Sequence, residues 1–205
     1  MANTTFSGPV RSINGFEQIS KNATTGAITV ISGNKMATEA SSGAGIEGTA
    51  EVYVTQVERF KSDTDTNVNL VKTTILLDLT GLASSGANDI IGKAGTGVAY
   101  IGRVTAVNQG TVFGVTMECL ETPAGGDPDI DLYSATEATG VEDSAIGDLT
   151  ETQIINSGDL AAGTRVAGGT IVADQYLYLV AGSATNADYT AGRIIITITG
   201  YDVAS

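Results

Sequence analysis

Arg193-Ile194-Ile195-Ile196-Thr197-Ile198-Thr199-Gly200-Tyr201 is the stretch that decides the fold. Side chains of a strand alternate between two faces. Ile194, Ile196 and Ile198 therefore share one face, and Ile195, Thr197, Thr199 and Tyr201 share the other. Ile195 aside, one side is apolar and the other polar, as expected of a strand with one face on a core and one in water. Residues 70–79 repeat the pattern, with Ile75, Leu77 and Leu79 on one face and Leu76 and Asp78 on the other. Residues 51–60 begin the same way with Val52 and Val54, and then Val57 falls out of phase, which predicts a β-bulge.

Outward from these strands the chain stays β-rich. Residues 98–107 and 111–120 read as a hairpin, because Asn108-Gln109-Gly110 is a short connection containing Gly. Residues 170–173, running into Tyr176-Leu177-Tyr178-Leu179-Val180, and residues 26–31 read as further strands. Residues 81–97 form a glycine-rich loop carrying Ile90-Ile91, and 121–151 an acidic, loop-rich span. No window holds a sustained helical stripe, so the helix expectation is limited to a short turn within 142–156. The 26 glycines in 205 residues exceed the usual ~7% and imply many turns. The expected class is all-β: an antiparallel β-sandwich or β-barrel, jelly-roll-like, with an extended N-terminal arm and Gly-rich loops. The expected division is an arm at 1–33 holding a short strand, a small and polar linker at 34–48 around Ser41-Ser42-Gly43-Ala44-Gly45, and a β-sandwich body at 49–205.

Charge and composition exclude several functions. A net charge of −13, with ten scattered basic residues, repels phosphate backbones, so nucleic acid is not an expected partner. The opening residues lack a basic stretch followed by an apolar run, and nothing approaches the roughly 18 apolar residues of a membrane span. The expectation is a protein made in the cytoplasm with no membrane partner. There are no histidines, which removes Ser-His-Asp triads, Cys-His dyads and His-containing zinc sites together. The lone Cys119 alternates with Val115 and Met117, the place of a small buried hydrophobe. Gly92-Lys93-Ala94-Gly95-Thr96-Gly97 lacks the phosphate-loop order. No residue is assigned a catalytic role, and an enzyme is not expected.

Two segments stand out as candidate sites. Asp127, Asp129 and Asp131, in Gly125-Gly126-Asp127-Pro128-Asp129-Ile130-Asp131-Leu132-Tyr133, offer oxygens to a hard cation such as calcium, the one cofactor considered. The EF-hand pattern fails, since Leu132 stands at the Gly position and Ala138 at the bidentate Glu position. The competing reading is a strand whose three acids point together into water and discourage edge-to-edge aggregation. The second segment is the opening Thr4-Thr5-Phe6-Ser7-Gly8-Pro9-Val10-Arg11-Ser12-Ile13-Asn14-Gly15-Phe16. Pro9 keeps it out of helix, Asn14-Gly15 makes a turn, and Phe6, Val10, Ile13 and Phe16 are spaced anchors. Phe6, Pro9, Val10, Arg11, Ile13 and Phe16 are the candidate partner-binding residues, suited to adding a strand to a neighbour's sheet edge.

The opening, together with Asp78-Leu79-Thr80-Gly81-Leu82, Asp89-Ile90-Ile91-Gly92, Ala99-Tyr100-Ile101-Gly102, Pro123 to Tyr133, the Tyr-Leu-Tyr strand and Ala191-Gly192-Arg193, resembles small virion structural proteins of marine tailed phages. The resemblance spans most of the chain and carries no catalytic residues. It implies a capsid decoration (cement) protein on the virion surface that oligomerises, as a trimer rather than a dimer, and bridges major capsid protein subunits. The alternative it implies is an appendage subunit (tail, knob or fibre) contacting the host through the 121–151 span.

Overall fold

The computed structural model describes the backbone of residues 17–21, 28–33, 42–46, 50–60 and 67–204, with side chains at 42–46 and 70–201. The chain divides into two compact units, Met1–Met36 and Ala37–Ser205. In the first, β1 (Glu17–Lys21) pairs antiparallel with β2 (Ile28–Gly33), with a register irregularity at Gln18/Ile19.

The second unit runs β3 (Ala50–Phe60), β4 (Asn67–Asp78), β5 (Ala83–Ser84), β6 (Gly102–Arg103), α1 (Ala106–Gln109), β7 (Thr111–Ala124), β8 (Ile130–Ala135), β9 (Glu151–Ile155), β10 (Arg165–Gly168), β11 (Tyr176–Ala181), β12 (Ala187–Asp188) and β13 (Ala191–Ala204). A five-stranded sheet has the order β10-β7-β13-β4-β3 and a four-stranded sheet the order β6-β11-β8-β9. All of their pairings are antiparallel. With the two-residue β5 and β12 set aside, the chain changes sheet at every step from β4 to β13 except between β8 and β9. That order is a jelly roll, with β3 as an added edge strand. The protein is an all-β sandwich and not a closed barrel.

The core lies between the two sheets. Ile75, Leu77, Val115, Met117, Cys119, Ile194, Ile196 and Ile198 of the first sheet meet Leu132, Ile155, Leu177 and Leu179 of the second in one apolar cluster. The alternation along β4 and β13 is the one their sequences imply: Ile75, Leu77, Ile194, Ile196 and Ile198 are buried, while Leu76, Ile195, Thr197 and Thr199 are half-buried. Cys119 is buried as expected, and burial pushes its thiol up from the ordinary value.

Four expectations are corrected. Residues 98–107 do not form a hairpin with β7. Only Gly102–Arg103 is strand, it pairs with β11 in the other sheet, and Thr105 caps α1 by accepting from the Asn108 N–H. Residues 170–173 are not strand, and the strand before β11 is β10. The acidic span holds β8, buried along its whole length in the second sheet. The β3 irregularity falls at Glu51/Tyr53 and not near Val57, so pairing from Tyr53 to Phe60 is regular. The expected short turn within 142–156 is present as a 3-10 turn at Ile146–Asp148. Residues 42–46 pack on the sandwich: Ile46 is fully buried, and Gly43 and Gly45 donate to the Tyr100 and Val98 carbonyls at 2.8 Å. A Cβ on Gly43 would collide with Val98, so this approach requires glycine.

The parity of β13 gives a direct test. Ile196→Ala opens a cavity in the core and should cost about 2–5 kcal/mol in urea unfolding. Ile195→Ala, one residue away on the half-buried face, should cost well under half as much. Equal losses would mean that β13 does not alternate as described.

Candidate functional site

Asp127, Asp129 and Asp131 sit at one end of the sandwich, where four connections between the sheets meet. Leu160 donates to the Pro128 carbonyl at 2.9 Å, Gly182 to that of Asp129 at 2.7 Å, and Asn88 to that of Ala181 at 2.8 Å. Asp129 and Asp159 form a single antiparallel bridge. The β4–β6, β7–β8, β9–β10 and β11–β13 crossings are thereby tied together.

The Asp127 carboxylate is wholly buried and holds this junction. Its Oδ1 accepts from the Ser183 hydroxyl at 2.6 Å and from the Asp129 N–H at 3.0 Å, and its Oδ2 accepts from the Ser183 N–H at 2.8 Å. The Asp127 N–H donates to the Ser84 hydroxyl at 2.9 Å, and the Tyr189 hydroxyl donates to the Asp127 carbonyl at 2.7 Å. Burial raises the Tyr189 phenol far above its ordinary value, so it serves as a fixed donor. The Tyr189 ring lies where a Cβ on Gly126 would be, so only glycine fits there. Asp131 is also buried and spent on protein donors, with Oδ1 accepting from the Ser157 N–H at 2.9 Å and Oδ2 from Gln153 Nε2 at 2.8 Å.

Asp129 differs from both. It is half-buried, and its Oδ1 is closed to water with no hydrogen-bond partner. Desolvation raises its pKa, and the nearby Asp131, Asp127 and Asp159 carboxylates raise it further. The expected arrangement of three acids pointing together into water is therefore not found. Asp127 lies in the connection before β8, and β8 is buried along its whole length, so its one acid, Asp131, faces protein donors. Among the described residues, no group of three or more acidic or thiol side chains is placed to hold a metal ion. The arrangement is chemically a clamp between loops. Ser84, Ser183 and Tyr189, its other parts, carried no sequence signal beyond being hydrogen-bonding side chains.

The other candidates, Phe6, Pro9, Val10, Arg11, Ile13 and Phe16, lie outside the described residues. Comparison of the chain with family models, with curated proteins and with solved structures finds no match.

Two outcomes follow from the clamp. Ser183→Ala removes one donor to a buried carboxylate and should cost about 1–3 kcal/mol by chemical denaturation. Asp129→Asn should raise Tm at pH 7. A carboxyl whose folded pKa is raised binds its proton more tightly in the native state, so stability falls as pH rises through that window. The variant's gain should be full near neutrality and vanish below about pH 4, where the unfolded Asp is protonated too. A lower Tm for Asp129→Asn, seen only when calcium is present, would instead assign a cation to these acids.

Proposed function

We propose that this chain is a non-enzymatic virion structural protein, a capsid decoration (cement) protein that self-associates and bridges major capsid protein subunits. The observation that carries the reading is the jelly-roll strand order, an architecture shared by viral capsid and lectin domains. A fold alone does not assign a function. It agrees here with the resemblance of the opening and body segments to small tailed-phage virion proteins. The buried polar groups support the same reading, because Asp127, Ser84, Ser183 and Tyr189 spend their hydrogen bonds on joining loops. The sequence supplies no histidine, and the one thiol is buried. A surface of charge −13 favours solubility at the high copy number that a decoration protein needs.

In this reading residues 1–16 grip the shell. The opening adds backbone hydrogen bonds at a sheet edge, while Phe6 and Phe16 fill pockets. Repetition around an oligomer multiplies a weak single contact. The location is the capsid surface, after synthesis in the host cytoplasm. A second reading, an appendage subunit touching the host, draws on the gathering of four inter-sheet connections at one end of the sandwich. Copy number per virion separates the two: hundreds of copies over the head for decoration, a few dozen or fewer at the tail for an appendage.

Deleting residues 1–16 should leave a folded, soluble body that no longer saturates capsids in a sedimentation assay. Normal decoration by the truncated chain would rule out the arm.

A further inference from the structure

Two connections of the second unit enclose a cleft. Gly95, Thr96 and Gly97 of the β5–β6 connection form one wall, Val141 and Glu142 of the β8–β9 connection form the other, and the space between them is about 250 Å³. The surface turned to the cleft is largely apolar, and Glu142 is the one charged residue lining it.

Backbone hydrogen bonds fix both walls. Val98 and Val141 form an antiparallel bridge that joins the two connections. Asp143 donates to the Ile90 carbonyl at 3.2 Å, and Ile90 to that of Ser144 at 2.9 Å. On the other side Thr96 donates to the Lys93 carbonyl at 3.1 Å, and Lys93 to that of Gly45 at 2.7 Å. Gly95 and Gly97 have φ of 67° and 54°, a conformation that favours glycine. A Cβ on Gly95 would meet nothing within 4 Å, so this wall is bare backbone beside open space. The cleft is therefore formed before any ligand arrives, and a ligand need not order it.

Glu142 is half-buried and lacks a counter-ion. Among the described residues its hydrogen bond comes from the Ser85 hydroxyl, at a long 3.5 Å, and no Lys or Arg forms an ion pair with it. Burial raises its carboxyl above the ordinary value, and Asp143, Asp188 and Asp89 raise it further against the opposing effect of Ser85. A cation brought to Glu142 is attracted by these acids together.

Size and lining narrow the kind of cation. Pockets for drug-sized ligands span roughly 300–1,000 Å³, so this smaller cleft suits a single side chain. Calcium takes about 6–8 oxygen ligands, and the cleft offers one carboxylate. An ammonium is a strongly hydrated point charge. A guanidinium is planar, more weakly hydrated, and pairs with both oxygens of a carboxylate. Its methylene stem also covers apolar surface while the head stays polar.

We propose that this cleft is a receptor for an arginine side chain of a partner protein: the guanidinium pairs with Glu142, and the stem lies along Val141 and the backbone of Gly95 and Gly97. Such a receptor is independent of the proposed decoration role, and no capsid enters its test.

Nuclear magnetic resonance titration of the isotope-labelled full-length chain with N-acetylargininamide provides that test. N-acetylcitrullinamide, a neutral compound of nearly the same shape, is the control. The amide signals of Gly95, Thr96, Gly97, Val141 and Glu142 should shift together and saturate, with a Kd on the order of 1–10 mM for so small a ligand. The citrulline compound should bind at least ~10-fold more weakly, and Glu142→Gln should weaken arginine binding by a similar factor. Added salt should weaken the arginine compound and leave the citrulline compound unchanged. Shifts that do not saturate by about 100 mM, or that spread over carboxylates elsewhere on the surface, overturn the inference. Equal binding of the two compounds also overturns it, as does a Glu142→Gln chain that binds arginine like the wild type. The citrulline comparison needs only the wild type, so it decides the matter if the variant does not fold.

Discussion

The sandwich depends on β13 being paired along both of its edges. It is hydrogen-bonded to β4 from Arg193 to Ala204 and to β7 from Ala191 to Tyr201. Its neighbour β4 is likewise paired along both edges, to β13 and to β3, while β10 and β3 are the edges of the sheet. The strand-period alternation of β13 supplies Ile194, Ile196 and Ile198 to the core and places Ile195, Thr197 and Thr199 on the outer face. A one-residue slip would exchange those sets and bury threonine hydroxyls without partners. The register is held by burial. Where it does shift, the shifts lie near the ends of the paired region, at Ala191/Arg193, Arg193/Ile194 and Thr199/Gly200.

A jelly roll places long chain crossings at its ends, and those crossings need their own cohesion. At one end it comes from Asp127, a carboxylate removed from water whose three accepted hydrogen bonds replace the lost hydration. Asp131 is compensated in the same way by Ser157 and Gln153. Asp129 is not: desolvation raises its pKa, and the neighbouring Asp131, Asp127 and Asp159 carboxylates raise it further. At the other end α1 closes the interior: Gln109 is buried, and its Nε2 donates to the Thr73 hydroxyl at 3.4 Å.

The legible parts of the sequence were those whose partners did not matter. The alternation of β4, β13 and the Cys119 stretch follows from burial alone, so strand, face and core assignment could be read from Ile75, Leu77, Ile194 and Met117. Pairing could not. Adjacent strands suggest hairpins, but within the two main sheets only β3–β4 and β8–β9 pair in sequence order. Residues 98–107 were therefore matched to the nearest strand, although Tyr176 and Leu177, which pair with Arg103 and Gly102, lie some seventy residues onward. β8 was hidden by its polarity. Ile130-Asp131-Leu132-Tyr133-Ser134-Ala135 resembles a loop until Gln153, Ser157 and Gln175 arrive to satisfy Asp131 and Ser134. The acids at 127–131 were visible as a cluster, but their donors come from distant connections, so their role as a clamp was not.

The chain builds its two sheets in different ways. Between β4 and β13 the β8–β9 connection is the one step that stays within a sheet, and within residues 136–150 the Glu137 carbonyl accepts from the Tyr178 hydroxyl on the outer face. In the five-stranded sheet β7, β10 and β13 are each entered from the opposite layer, so the described connections between them cross the sandwich. The centre of the outer face of that sheet is Leu76 and Ile195 with threonines, and Lys72, Arg165 and Arg193 share the face with Asp78, Glu118 and Glu121 and with the β3 positions of Glu51 and Glu58. Its arginines are spent inside the sheet, Arg193 between Asp78 and Glu121 at 3.2 and 3.7 Å and Arg165 against Glu118 at 3.0 Å, so cross-strand pairing of charges accompanies the backbone pairing of β4, β13, β7 and β10.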